Sequence, residues 1–150
     1  MKIRLLGILI GLAISFAFST LAQEQNTVDP QVRQQIEAVL TNFDDAFNKH
    51  DAAAVAALFT PDAIQVWDFE GGGTVSGQQA IEKTWAAEIE GGLGEFRSKL
   101  LQVYPILSEV AGISEWSHGV YKGYWSAIYV RDADTWKIRM EYVILTVIPR

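Results

Sequence analysis

The sequence predicts an α+β fold in which three helices gather on one side of a curved, mixed or antiparallel sheet. Before residue 90, apolar residues recur three and four positions apart, as on the buried face of an amphipathic helix. After residue 100, apolar and polar residues alternate, and β-branched and aromatic residues become frequent. Helices followed by a meander of strands are typical of an α+β domain.

The chain begins with a segment typical of secretory signal peptides. Two basic residues precede an apolar run from Leu5 to Phe18, and small residues around Ala22 follow it. A membrane anchor is the alternative, but glycines interrupt the run, which is short for the roughly 20 apolar residues of a membrane span. We therefore predict a signal peptide over residues 1–22 and a periplasmic or secreted protein, with no membrane segment after cleavage.

The predicted mature chain, residues 23–150, has the length of a single domain. It contains ten basic and eighteen acidic residues. A phosphate backbone is bound by clustered Lys and Arg, so this excess of carboxylates predicts no nucleic-acid partner. The chain has no cysteine, which excludes disulfides and thiol chemistry.

The sequence predicts neither a cofactor nor a metal. The glycines at 71–73 precede Thr74 and Val75 rather than the Gly-Lys-Ser/Thr of a phosphate-binding loop. The two histidines, His50 and His118, are sixty-eight positions apart, and no carboxylate–histidine pair has the spacing of metal ligands.

Capping signals locate the first helix and the turn after it. Asp29 and Pro30 are typical of an N-cap and a first helical residue, and the helical pattern continues to Asn48. His50 then occupies the position where a chain often reverses through a left-handed residue. Its place in a turn favours a structural role over catalysis.

Two further helices follow from similar signals. Asp51 is predicted to cap a short helix over residues 52–59, and the proline at position 61 limits that helix. Ser76 is predicted to cap the third helix, over residues 77–89.

The remaining segments alternate as strands do. The segment 74–75 can return briefly against the first strand, and connections of two to four residues join the later strands into antiparallel hairpins. The predicted strands are residues 63–69, 100–108, 113–121, 124–131 and 135–148.

Three segments in this order resemble the SnoaL-like branch of the nuclear transport factor 2-like superfamily. They are FNKHDAAAVAALFTPDA at 47–63, VSGQQAIEKTW at 75–85 and YVRDADTWKI at 129–138. The resemblance covers nearly all of residues 23–150. It implies a cone-shaped half-barrel, in which the sheet wraps around the long first helix and leaves a pocket at its open end.

The superfamily includes ketosteroid isomerases, whose chemistry needs a carboxylate base and two hydrogen-bond donors. Aligning the chain with that pattern puts Phe43 and Ala127 at the two donor positions, and neither side chain can donate. The base would fall at Trp67, or at Asp68 if the strand carries a one-residue bulge. The resemblance therefore argues against isomerase chemistry, and Asp68 is either a pocket carboxylate or a solvent-facing one.

His118 is the other candidate acid or base. Trp116 and His118 lie two residues apart in a strand, so they share one face and line the pocket together if that face is concave. The alternative is a structural histidine bonded to a neighbouring backbone group or hydroxyl.

The last strand leaves two arrangements open. Its apolar set either fills the core, with Arg139 and Glu141 paired on the outside, or meets a partner subunit, with Arg139 and Glu141 in the pocket. In the second arrangement Arg139 would bind a ligand anion.

We expect the protein to bind a small, largely apolar organic molecule. The alternatives are a cofactor-free isomerase, cyclase or dehydratase that uses His118 and Asp68, and an interaction module that forms a homodimer through its sheet. The side chains predicted to line the ligand site are Phe43, Trp67, Trp85, Tyr104, Trp116, Tyr124, Arg139 and Glu141.

Overall fold

A computed structural model describes residues 28–92 and 94–147, so the predicted signal peptide lies outside the described residues. Helices precede most of the strands, which confirms the predicted α+β class. In the described part, no helix combines the length and apolarity that a membrane crossing needs. The elements are α1 (Pro30–Asn48), α2 (Ala52–Ala56), β1 (Phe59–Asp68), β2 (Thr74–Ser76), α3 (Gln78–Glu90), β3 (Phe96–Ile106), β4 (Glu109–His118), β5 (Tyr121–Asp132) and β6 (Thr135–Val147).

The six strands form one mixed sheet in the order β2-β1-β6-β5-β4-β3. Strands β3 to β6 are successive antiparallel neighbours, and among the described strands only β1 and β6 pair in parallel. The helices lie against one face, which we call the inner face; the opposite face is the outer face. The sheet does not close on itself, as the predicted half-barrel requires.

The local signals around α1 act as predicted. The Asp29 carboxylate accepts a hydrogen bond of 2.7 Å from the Gln31 N–H at the start of the helix. His50 has a φ of 60°, the left-handed conformation expected at this reversal. The Asp51 carboxylate then accepts a hydrogen bond of 2.9 Å from the Ala54 N–H and caps α2.

The predicted cap of α3 is wrong by one residue. Ser76 belongs to strand β2, and Gly77, with a φ of 87°, is the N-cap without a side-chain hydrogen bond. The start of α3 is held instead by the Gln78 amide. It donates to the backbone carbonyls of Ala56 and Phe59 at 3.0 and 2.9 Å, and so ties α3 to α2 and β1.

Strands β1, β3, β4 and β5 start earlier than predicted, β6 starts at the predicted residue, and α2 ends earlier. Backbone pairing extends β4 back to Glu109 and β5 back to Tyr121, so two of the predicted connections are strand. The turns between these strands need only two residues each, with positive φ at Leu107 and Gly119. Pattern alone missed this because ladder hydrogen bonds, rather than alternation, set where a strand ends.

Strand β6 carries a bulge at Arg139. Ile138 pairs with Tyr129, and Met140 pairs with Ile128, the residue just before Tyr129 in β5. Arg139 therefore has no partner in β5 and is one extra residue in β6. The bulge reverses the alternation along β6. Ile138 before it and Glu141 after it are both buried on the inner face, although an unbroken strand would place them on opposite faces.

Phe43, near the middle of α1, joins the helices to the sheet. Its ring is fully buried and meets Trp85 of α3 and Trp125 of β5 edge-on, with centroids 5.0 and 5.2 Å apart. Phe96 of β3 lies 5.3 Å away. Each such pair stabilises the fold by about 0.5–1.5 kcal/mol beyond the burial of the rings.

Candidate functional site

A cavity of about 430 Å³ opens at one end of the half-barrel, between α3 and the inner face of the sheet. We call it the pocket. Its volume lies within the roughly 300–1,000 Å³ typical of small-molecule sites. Most of its lining is aromatic. The lining residues are Trp67, Phe69, Glu70, Trp85, Glu88, Phe96, Trp116, His118, Tyr121, Trp125, Val143 and Leu145.

The strand register explains why these side chains meet. Trp67, Val143 and Trp125 occupy one row across β1, β6 and β5, and residues opposite each other in a sheet point to the same face. In the next row Trp116 pairs with Gly123. A Cβ on Gly123 would lie 1.9 Å from the backbone oxygen of Ile144 and 2.8 Å from the Trp116 ring, so the missing side chain makes room for both the neighbouring strand and the indole.

The pocket and the core share their aromatic rings. Trp85 contacts Trp67 at the pocket wall at a centroid distance of 5.2 Å, and it also contacts Phe47 of α1 at 5.8 Å. Phe96 stacks on Trp116 and Trp125. Because these rings are wedged between helices and sheet, the walls of the pocket are held rigidly.

None of the indole N–H groups of the four lining tryptophans is free to donate to a molecule in the pocket. The Trp67 N–H donates to the Gln65 side-chain oxygen at 3.0 Å. The indole nitrogens of Trp85, Trp116 and Trp125 are buried, with no hydrogen-bond partner in the described part of the chain. The pocket surface of these residues therefore consists of ring carbons.

His118 is buried at the end of β4. Its ring packs edge-on against Phe47, at 4.8 Å between centroids, and lies 5.8 Å from Phe96. Burial lowers the pKa of His118, and a hydrogen bond to the Gly94 backbone opposes this only in part. The imidazole is therefore neutral at physiological pH.

Two carboxylates face the pocket. Glu88 lies one helical turn after Trp85 on α3 and is half-buried, and this burial raises the pKa of its carboxyl group. Glu70 is exposed, just after β1. No lysine or arginine is among the lining residues of the described chain.

A buried polar chain lies below the pocket. The Gln65 amide donates to the Glu141 carboxylate, and Gln65 in turn accepts from Trp67 at the pocket wall. Glu141 has no exposed surface, and burial raises its pKa to about 7, although the hydrogen bond from Gln65 lowers it. Burial, and then the nearby Glu141 charge, raise the pKa of Tyr129.

The structure brings together four of the ten residues predicted for the site and separates the rest. Phe43 is part of the core behind Trp85, while Tyr104 and Tyr124 are partly exposed on the outer face. The residues that line the pocket are Trp67, Trp85, Trp116 and His118. Those that do not are Phe43, Asp68, Tyr104, Tyr124, Arg139 and Glu141.

Asp68 points away from the pocket. Residues 64–68 pair with 140–144 without interruption, so the bulge that would turn Asp68 inward is absent there. The Asp68 carboxylate instead accepts a hydrogen bond from the Tyr142 hydroxyl at the surface. Trp67 takes the inward position, so the acid–base pair predicted from His118 and Asp68 does not form.

Neither arrangement predicted for Arg139 and Glu141 occurs. The bulge places the two residues in different surroundings: Arg139 is exposed and pairs with Glu109 at 2.7 Å, whereas Glu141 is buried next to Gln65. Glu141 reaches the pocket wall only through Gln65 and Trp67.

Sequence reasoning missed Glu88 and most of the apolar lining. Glu88 lies three residues after Trp85, a spacing that puts both on one helix face, so this signal was present. Val143 and Leu145 could not be assigned to the pocket because their facing depends on the bulge. In the described part, no group of three His, Asp or Glu side chains is placed to hold a metal ion.

A family model for the SnoaL-like domain matches residues 40–143, more than half of the chain. The chain belongs to the SnoaL-like domain family. The matched region includes every residue of the pocket except Leu145. None of the curated proteins matches this SnoaL-like domain.

Solved structures similar to this SnoaL-like domain support the fold alone, since their sequence identities are low. A domain of unknown function with a cystatin-like fold from Nostoc punctiforme is 13% identical, with 81% of each chain covered and a TM-score of 0.67. An NTF2-like protein of unknown function from Shewanella baltica is 12% identical, with 81% of this chain and 99% of that chain covered and a TM-score of 0.64.

The buried Glu141 should make stability depend on pH. Its pKa is about 7 in the fold and ordinarily 4.5, so the folded state holds a proton that the unfolded chain has lost. The contribution of Glu141 to stability should therefore fall as pH rises from about 4.5 to about 7. Glu141→Gln should flatten this dependence and stabilise the domain at pH 8 by up to about 3 kcal/mol.

Urea unfolding at pH 5, 6, 7 and 8 measures this difference. The exposed Glu90→Gln on α3 is the control and should keep the wild-type dependence. Parallel profiles for Glu141→Gln and wild type would show that Glu141 is ionised in the fold.

Proposed function

We propose that the protein is an exported SnoaL-like domain that binds a small, largely apolar organic molecule in the pocket. The observation that supports it is the composition of the pocket, an aromatic cavity of about 430 Å³ with four polar side chains among twelve lining residues. Binding sites for small molecules combine such an apolar surface with a few polar groups that orient the ligand.

The packing of the pocket favours binding without rearrangement. Its walls are core residues, among them Trp85 and Phe96, which are 2% and 3% exposed. A cavity with walls already fixed by the core has little conformational entropy to lose when a ligand enters.

Filling the pocket should abolish binding. Leu145 is half-buried in the lining, and Leu145→Trp would occupy the cavity without replacing a core ring. N-phenyl-1-naphthylamine, an uncharged fluorescent probe, should bind the wild type and bind this variant at least about tenfold more weakly, a difference of about 1.4 kcal/mol. Thr41→Trp, on the exposed side of α1, is the control and should bind as the wild type does. Equal probe binding by all three proteins would place the probe elsewhere and contradict the proposal.

A cofactor-free acid–base enzyme is the second candidate. In the pocket, burial raises the pKa of Glu88 and lowers that of His118, so burial favours the uncharged form of both groups. Pairs of groups with shifted pKa values are typical of general acid–base sites. This pair takes the place of the predicted pair of His118 and Asp68.

Enzymatic proton transfer can be tested without knowing the substrate. The wild type should accelerate the exchange of deuterium from D₂O into the carbon next to the carbonyl of phenylacetone, and His118→Gln should reduce that rate by about a hundredfold. NMR follows the exchange, and His50→Gln in the exposed turn is the control. Exchange at the uncatalysed rate with the wild type would rule out catalysis on this class of ketone.

The outer face supports a third candidate, a homodimer through the sheet. It carries exposed or half-buried apolar side chains on neighbouring strands: Ile64, Met140, Ile128 and Ala111 follow one another across β1, β6, β5 and β4. Exposed patches of this kind are typical of interaction sites. A twofold interface of one sheet against another uses the same residues on both copies. The large apolar side chains exposed on this face are Ile64, Tyr104, Ile106, Ile113, Tyr124, Met140 and Ile144.

Charge on the outer face should separate the copies. Ile144→Lys would put a cation into each half of the interface and should weaken the free energy of dimerisation by on the order of 1.4 kcal/mol or more. The mass measured by light scattering at 50 µM should therefore change from that of a dimer to that of a monomer. Gln34→Lys, on the exposed side of α1, is the control. A wild type that is monomeric at this concentration would refute the dimer.

A further inference from the structure

Almost all the polar groups that a ligand would meet in the pocket are hydrogen-bond acceptors. The four indole N–H groups are not accessible to a ligand: Trp67 donates to Gln65, and the other three nitrogens have practically no accessible surface. A carbonyl or carboxylate on a ligand would therefore find no tryptophan donor. What these residues present to a ligand is the electron-rich faces and the edges of their rings.

His118 also presents an acceptor. A neutral imidazole has one N–H and one unprotonated nitrogen. The hydrogen bond to the Gly94 backbone uses one side of the ring, and because burial keeps the ring neutral, the other nitrogen can only accept. Of the lining residues, Tyr121 alone has an O–H that can both donate and accept.

Glu88 adds negative charge with nothing to compensate it. No lysine, arginine or histidine of the described chain lies within ion-pair distance of its carboxylate. Burying a carboxylate without a partner is unfavourable, and a cation beside it removes that cost. Glu70, which also lines the pocket, has the same sign, and the whole chain has a net charge of −6.

We propose that the ligand of this pocket is a protonated amine on a flat aromatic or otherwise apolar body. This inference rests on the proposed function, because it names the class of molecule that the same pocket takes. The ammonium group donates to Glu88 and to the free nitrogen of His118, and the apolar body lies among Trp67, Trp116 and Trp125. Ring faces attract a nearby cation and add to this preference.

Four compounds that share one naphthalene ring test the proposal. They are 1-naphthylmethylamine, its quaternary trimethylammonium analogue, 1-naphthalenemethanol and 1-naphthoate, each titrated by calorimetry at pH 7.5 in low salt. The primary amine should bind at least about tenfold more tightly than the alcohol, and the carboxylate should not bind measurably. The quaternary analogue should fall between the amine and the alcohol, because it keeps the charge but cannot donate.

Variants of α3 assign the preference to Glu88. Glu88→Gln should weaken amine binding about tenfold and leave the alcohol unchanged, whereas the exposed Glu90→Gln should change neither. The comparison of the four compounds on the wild type needs no variant, so it remains decisive if Glu88→Gln is unstable.

Three results would overturn the inference, and they differ in what they leave standing. If the amine and the alcohol bound equally, or if Glu88→Gln weakened the binding of neither, the pocket would not select for charge. The proposed binding of an apolar molecule would still hold. Tightest binding of the carboxylate would show that the indole N–H groups turn to meet an acceptor. Failure of all four compounds and of the uncharged probe would remove the proposed function as well.

Discussion

The bulge at Arg139 is the constraint on which the rest of the molecule depends. One extra residue in β6 turns Glu141, Val143 and Leu145 inward, and sends Met140 and Ile144 to the outer face. The inward set supplies the wall of the pocket and the buried carboxylate below it. The outward set supplies the apolar face. Without the bulge, the two sets would exchange sides beyond this point, and the pocket would be lined by the residues that now face outward.

Local signals in the sequence were sufficient for the start of α1, the start of α2 and the turn between them. Asp29 and Asp51 cap helices, and His50 reverses the chain, because each acts on backbone groups a few residues away. The facing of β6 could not be predicted in the same way. After the bulge both alternating sets are mostly apolar, with Glu141 in one and Thr146 in the other, so the pattern does not distinguish the strand with one extra residue from the strand without it. That facing is decided by pairing with β5 and β1, which are distant in the chain.

The residues of the candidate site also fall into those that local spacing predicts and those whose position depends on strand register. Trp116 and His118 were predicted to share a face because they are two residues apart in one strand, and this is local information. Glu88 was overlooked although its spacing from Trp85 on α3 gave the same kind of signal. Asp68 was uncertain because a slip of one residue would have moved it, and uninterrupted pairing with β6 puts Trp67 in the pocket instead. The chemistry of the pocket therefore depends on register more than on composition.

Gly123 has a consequence beyond the packing of one ring. It does not line the pocket, yet a Cβ there would lie 2.8 Å from the Trp116 indole and 1.9 Å from the backbone oxygen of Ile144 on β6, so any side chain would disturb both the indole and the pairing of β5 with β6. The wall of the pocket thus depends on a residue outside its lining. During divergence of such a scaffold we expect this position to stay glycine, because a larger residue would disrupt the pairing of β5 with β6 before it altered the size of ligand accepted.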